Sequence, residues 1–192
     1  MLMFKKWTKK EIWKAILCFA VYFVLVLATQ LPGFLSPLYW AVFPVFSAFV
    51  AAGPLTCVMD MKRGFGSAAL LPVLWFIVYR CMGELGMPQM WIWIFAVIAV
   101  GEAVRAVMSY KKLSSIRTCV PVMGLVPMGN IAPLYLSKAA FLERAAAEMD
   151  QEYVAALDMY GTEWMFILVL ALSLAAAIAS ERISEKILKI DK

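Results

Sequence analysis

Apolar residues fall in six long stretches, at about 9–30, 38–60, 67–83, 90–110, 118–136 and 163–183. Each approaches the ~20 mostly apolar residues that a helix needs to cross a bilayer. Polar and turn-forming residues punctuate them. Leu31 to Pro37 holds two prolines and a glycine, and Lys62-Arg63-Gly64-Phe65-Gly66 is a basic turn. Thr8 and Glu11 stand at capping-box spacing ahead of the first stretch. The second stretch passes through Pro44 and Gly53-Pro54, where a kink or a break is expected. The fold class predicted is an all-α, six-transmembrane-helix bundle forming a single domain over 1–192.

The segment 137–162 has a different pattern. Glu143, Glu148, Asp150, Glu152 and Asp158 interleave with Leu142, Ala145, Met149, Tyr153, Ala156 and Tyr160. That apolar spacing is helical and one-sided. It predicts an extra amphipathic helix on the outer surface, between spans five and six.

Charge sets an orientation. Lys and Arg cluster at Lys5/Lys6/Lys9/Lys10/Lys14, Lys62/Arg63, Lys111/Lys112/Arg117, Arg182/Lys186 and Lys189/Lys192. All five clusters lie at alternate ends of the apolar stretches, hence on one side. Short loops rich in Lys and Arg stay in the cytoplasm, so both termini are expected there. The N-terminus is basic and then apolar, as in a signal peptide. No small-residue cleavage site follows, and the first stretch reads as a retained span.

Composition fits this class. The chain has 192 residues, 64% hydrophobic and 16% charged, too few charges to cover a soluble domain of this length. Its net charge of +5 is accounted for by helix ends that meet anionic lipid, so nucleic acid is not expected as a partner. Histidine is absent, and the four cysteines Cys18, Cys57, Cys81 and Cys119 stand singly on different spans. Neither a metal site nor a cofactor is expected. No GxSxG elbow, HExxH or P-loop occurs, so the chain does not read as an enzyme, and an ATP-driven role needs a separate ATPase chain.

Candidate functional residues follow from cost. Glu102 and Arg105 sit inside the fourth span three residues apart. Ionisable groups at that depth need a partner, and the spacing lets them pair with each other. They are expected to serve as a structural ion pair, as a contact to a partner subunit, or as a conformational switch. Arg80 and Glu84, at the outer end of the third span, either snorkel to the interface or face an outward pocket. The fifth span carries Pro121, Gly124, Pro127, Gly129 and Pro133 around the amide of Asn130. Broken helices with a polar side chain often line transporter sites. Tyr39, Trp40, Trp91, Trp93, Tyr135, Tyr153 and Trp164 gather toward the outer surface, as interface anchors or as walls of a ligand cage, with Tyr39, Trp91, Tyr135 and Tyr153 taken as the ligand-binding candidates. Small residues recur every fourth position at Ala171, Ala175 and Ala179, beside Ser173/Ala177 and Ala176/Ser180, which suits close helix packing.

The order and content of the segments resemble a known family. Ala51-Ala-Gly-Pro-Leu runs through Met61-Lys-Arg-Gly-Phe-Gly66, then come Met82-Gly83-Glu84, Ala99-Val-Gly-Glu-Ala-Val-Arg105, Ala132-Pro-Leu-Tyr135 and Gln151-Glu-Tyr153, and last an alanine-rich helix with a basic tail. Together they resemble the Trep_Strep family of bacterial integral membrane proteins, itself similar to the S components of energy-coupling-factor transporters. The resemblance implies capture of a small molecule or micronutrient at the bacterial inner membrane. It implies a coupling transmembrane subunit and two ATPase subunits as partners. It also implies a site beneath Leu31 to Tyr39, Glu84 to Gln89 and Ser137 to Thr162. The alanine pair that many S components carry in their first helix is missing here. The ligand stays open among vitamins, nucleobase-like compounds, metal ions and small organic acids. A stand-alone transporter or channel and a non-transport scaffold are the alternatives.

Overall fold

The computed structural model describes residues 7–81 and 86–190. Lys5, Lys6, Lys192 and the last two residues of the third predicted span lie outside them. Among the described residues the chain is all-helical, with no strand. The helices are α1 Lys9–Gln30, α2 Pro37–Met61, α3 Leu70–Cys81, α4 Pro88–Met108, α5 Leu113–Met123, α6 Ala132–Leu136, α7 Lys138–Glu148, α8 Gln151–Tyr160 and α9 Glu163–Ile187. Two 3-10 turns join them, at Leu31–Phe34 and Val126–Asn130.

Local chemistry explains the boundaries. The Thr8 side chain accepts the Glu11 amide at 3.3 Å, and Glu11 Oε2 accepts the Thr8 amide at 2.7 Å, which completes the capping box. Ser36 caps α2 and Thr162 caps α9 in the same manner. Of the kink or break expected near Gly53, the break does not occur: α2 stays helical through both Pro44 and Pro54. Neighbouring helices bury it along most of its length, and that packing outweighs the backbone hydrogen bonds the prolines remove.

Among the described residues, four stretches have the length and apolarity to cross a membrane: Lys9–Phe34, Pro37–Met61, Pro88–Met108 and Glu163–Ile187. Within the described residues the third predicted span yields the 12-residue α3. At 1.5 Å per residue it reaches about 18 Å, short of a ~30 Å hydrocarbon core. The fifth predicted span is not one kinked helix: α5, a 3-10 turn and α6 share it. Pro127 and Pro133 fall at the starts of the second and third pieces, where a missing N–H costs least.

The outer segment is also divided. It forms two helices rather than one, because Asp150 turns its carboxylate back to the Tyr153 amide at 2.7 Å and starts α8 anew.

At the centre lies α2, packed against α1, α5, α8 and α9. Its small residues Ser47, Ala48, Ala51 and Ala52 are fully buried. On α9 the row that turns inward is Ser173, Ala177, Ser180 and Ser184, whereas Ala171, Ala175 and Ala179 face outward. Small side chains on both faces bring the helix backbones close. Thr29 and Ser47 hydroxyls meet at 2.5 Å between α1 and α2. The outer surface is greasy, with Trp13, Leu17, Val24, Ile92, Phe95, Val100, Trp164 and Ile167 all exposed. So broad an apolar exterior suits lipid and not water.

The two ends of the bundle differ. At one end the basic loops meet. Arg63 Nη1 donates to the Lys111 carbonyl at 2.9 Å, and Lys62 Nζ sits 4.7 Å from the Trp7 ring centre. Arg117 grips Glu185 through two hydrogen bonds of 2.7 and 2.8 Å. This is the basic end. The opposite end holds a cavity.

Candidate functional site: a roofed cavity and a buried charge network

The cavity has a volume of about 360 Å³, within the roughly 300–1,000 Å³ common for small-molecule sites. Gln30 ends α1 at its base. Trp40 comes from the second turn of α2, and Tyr79 from the last turn of α3. Met90 enters from α4, and Asn130 closes the 3-10 turn after α5. The roof is α7 and α8, through Phe141, Ala145, Met149, Tyr153 and Leu157. Amphipathic patterning built that roof: its apolar face turns inward, Glu143, Asp150, Glu152 and Asp158 face out, and Glu148 stands with Arg144 on the rim.

Two polar side chains in the lining stand without partners. Gln30 is 4% exposed and Asn130 7% exposed. Gln30 Nε2 and both amide atoms of Asn130 lack hydrogen-bond partners. Buried amides are normally satisfied, and each orphan atom calls for an explanation. Their positions are enforced. Gly129 lies so near α4 that a Cβ there would come within 2.6 Å of Ile94 and 3.2 Å of the Met90 carbonyl. Trp93 Nε1 donates to the Leu125 carbonyl at 2.9 Å, beside the Met128 amide that the same oxygen accepts at 3.1 Å, and so ties α4 to the turn after α5.

The mouth is latched. The Tyr153 hydroxyl donates to the Gly33 carbonyl, joining α8 to the turn after α1. Burial pushes the Tyr153 phenol above its ordinary pKa, so it stays a donor at neutral pH. Lys138 ties α7 to α8 through the Asp158 carboxylate at 2.6 Å and its carbonyl at 2.8 Å. Arg144 and Glu148 face each other at 3.7 Å on the rim.

Of the seven residues read from sequence as ligand-binding, Asn130 and Tyr153 line this cavity. The other described ones have separate settings. Arg80 lies over the Trp91 ring, 5.5 Å from its centre, and Trp91 also packs edge-on against Phe76. Tyr39 stacks on Phe46, and Tyr135 packs on Phe166. Glu84 lies outside the described residues. Sequence reasoning passed over Gln30, whose signal was an amide closing an apolar run just before Pro32-Gly33. The three segments implied by the resemblance each contribute, through Phe34, Met87 and the α7–α8 roof.

Near the basic end, Glu102 and Arg105 do not form the mutual ion pair that their spacing allows. Glu102 Oε1 accepts the amides of Ala68 and Ala69 at 3.0 and 3.1 Å, ahead of α3, and Oε2 accepts the Tyr110 hydroxyl at 3.1 Å. A carboxylate at a helix start meets unsatisfied N–H groups and the positive end of the helix dipole. Arg105, fully buried, donates to Ser115 Oγ at 2.9 Å, the Met59 carbonyl at 3.3 Å and Ser67 Oγ at 3.4 Å. The pair thus pins the ends of α2, α3, α4 and α5 together.

Lipid-length apolar helices, a greasy exterior and charges held inside the bundle define an integral membrane protein. The chain belongs to the Trep_Strep family, described as a hypothetical bacterial integral membrane protein, whose model matches residues 9–190. No curated protein and no solved structure matches it.

Proposed function

We propose that this chain is the substrate-capture subunit, S component-like, of an ATP-driven importer of the energy-coupling-factor type. It binds a small molecule from outside, without catalysis of its own. A coupling transmembrane subunit and two ATPase subunits move the ligand inward. In this reading α3 and the α5–α6 run complete six crossings, and both termini lie in the cytoplasm of a bacterium, at its inner membrane.

One observation carries the reading: a roofed cavity with two unpaired buried amides, at the end of the bundle away from the basic loops. If the basic end is cytoplasmic, the cavity opens outward, where an importer meets its ligand. The absence of any nucleotide-binding motif in the chain is consistent with separate ATPases.

Affinity purification of the tagged protein from its native membrane, in mild detergent, tests it. Co-purification of a coupling protein with an ATPase pair is expected. Recovery of the chain alone would overturn the reading.

A further inference from the structure

We propose that the cavity takes an uncharged planar heterocycle that presents a donor and an acceptor side by side, as a lactam or ureide edge does, to the amide of Asn130. The inference rests on the small-molecule capture reading and adds the chemistry of the ligand.

Asn130 leaves both its Nδ2 donor and its Oδ1 acceptor unpaired, so the demand holds whichever way the amide is turned. A group that meets both must offer an acceptor and a donor on adjacent atoms. Gln30 Nε2 asks for one further acceptor. Those three atoms are the unsatisfied buried polar atoms of the lining, among the described residues. A sugar or polyol carries hydroxyls around its whole rim and would press many of them against the apolar and aromatic walls, and burying them there is unfavourable.

Charge points the same way. The only cation in the lining, among the described residues, is Arg144, which sits on the rim facing Glu148. An anionic ligand held at the buried amides would find a counter-charge only at the rim, where Arg144 already faces Glu148. Phe34, Trp40, Tyr79 and Phe141 supply aromatic surface, which suits a flat π-system. The volume leaves room for a one- or two-ring compound.

The test uses purified full-length protein and three probe sets. The first is uracil, xanthine and lumazine. The second is their N-methylated counterparts, which keep shape and lose the donor. The third is benzoate, citrate and inorganic phosphate. Binding is read by thermal unfolding and calorimetry. At least one member of the first set is expected to bind, with its N-methylated form weaker by roughly ten- to a hundredfold, because the orphan acceptor stays unpaired.

Asn130→Leu should abolish that binding while raising the unfolding temperature of the ligand-free protein, since it removes two unsatisfied polar atoms. A structural asparagine would give the opposite stability change. Equal binding of methylated and unmethylated probes would overturn the proposal without needing any variant. So would binding confined to the anionic set, or a carboxylate, phosphate or metal ion found by mass spectrometry in protein from its native membrane; the capture reading would survive these last two. Protein that binds no probe of any set and retains no small molecule from its membrane would overturn both.

Discussion

Tyr153 and Gly33 are 120 residues apart in sequence, yet the phenol of one donates a hydrogen bond to the carbonyl of the other. The bond is the side-chain tie from α8, in the cavity roof, to the turn after α1. Tyr153→Phe keeps the ring and removes the donor. A net hydrogen bond is worth about 1 kcal/mol, so ligand release should quicken roughly fivefold. Hydrogen exchange in Leu31–Phe34 and in α8 should rise in step. Unchanged exchange in both segments would rule out a latch.

The same bond sets a pH range. Burial raises the Tyr153 pKa. A phenol whose folded pKa lies above its unfolded value of about 10 contributes its full stabilisation below that value. The contribution disappears only as pH rises through the higher folded pKa. Latch-dependent protection should therefore stay flat between about pH 6 and pH 9. Loss of protection within that range, in wild type but not in Tyr153→Phe, would contradict this assignment.

Removing Glu102 should cost far more than removing its phenol partner. Glu102→Ala strips the Ala68 and Ala69 amides of their acceptor and leaves Arg105 without a nearby counter-charge. Breaking such a buried arrangement costs about 3–5 kcal/mol. Tyr110→Phe loses one hydrogen bond, about 1 kcal/mol. Thermal unfolding in detergent should rank the two variants in that order, with ligand binding per folded molecule unchanged in both.

Gly124 lies where α5, α2 and α9 meet. A Cβ there would come within 2.8 Å of Ala177 Cβ and 3.4 Å of Ala48 Cβ. Both neighbours are methyl groups fixed to backbone and cannot swing aside. Gly124→Val should destabilise by about 1–3 kcal/mol through overpacking. Shortening the neighbour in Gly124→Ala/Ala177→Gly should recover much of the loss of Gly124→Ala. No recovery would place the strain elsewhere.

Orientation is testable through the basic loops. Cysteines introduced at Lys62, Lys111 and Lys186, in a background freed of native cysteine, should react with an impermeant maleimide only after the cells are opened. A cysteine at Phe34, on the cavity mouth, should react in intact cells. Reversed labelling would invert the bundle and turn the cavity toward the cytoplasm.

The helical class, the four long spans and the gathering of the basic loops were legible from residue pattern alone. These features are local. Apolar runs of span length must be helical in lipid, because every backbone polar group needs an internal partner. The Thr8/Glu11 capping box was legible for the same reason, being complete within one turn. Asn130 stood out because a proline-broken run frees backbone and marks a place where helices part. The aromatic candidates fared unevenly. Tyr39, Trp40, Trp91, Tyr135 and Tyr153 share one signal in sequence, an aromatic near an outer end, and of these Trp40 and Tyr153 line the cavity.

What the sequence by itself determined was therefore membership: membrane helices, a charged end, an amphipathic outer segment and a polar residue in a broken run. Tertiary structure alone decided pairing. Spacing brought Glu102 and Arg105 to one face of α4, but the amides ahead of α3 and the hydroxyls of Ser67 and Ser115 took them as separate partners. Gln30 became a site residue only when Asn130, a hundred positions later, folded into the same cavity lining. Pattern along a chain records what each residue needs from its surroundings. Which neighbour meets that need depends on how the helices pack, and packing brings together residues with no proximity in the chain.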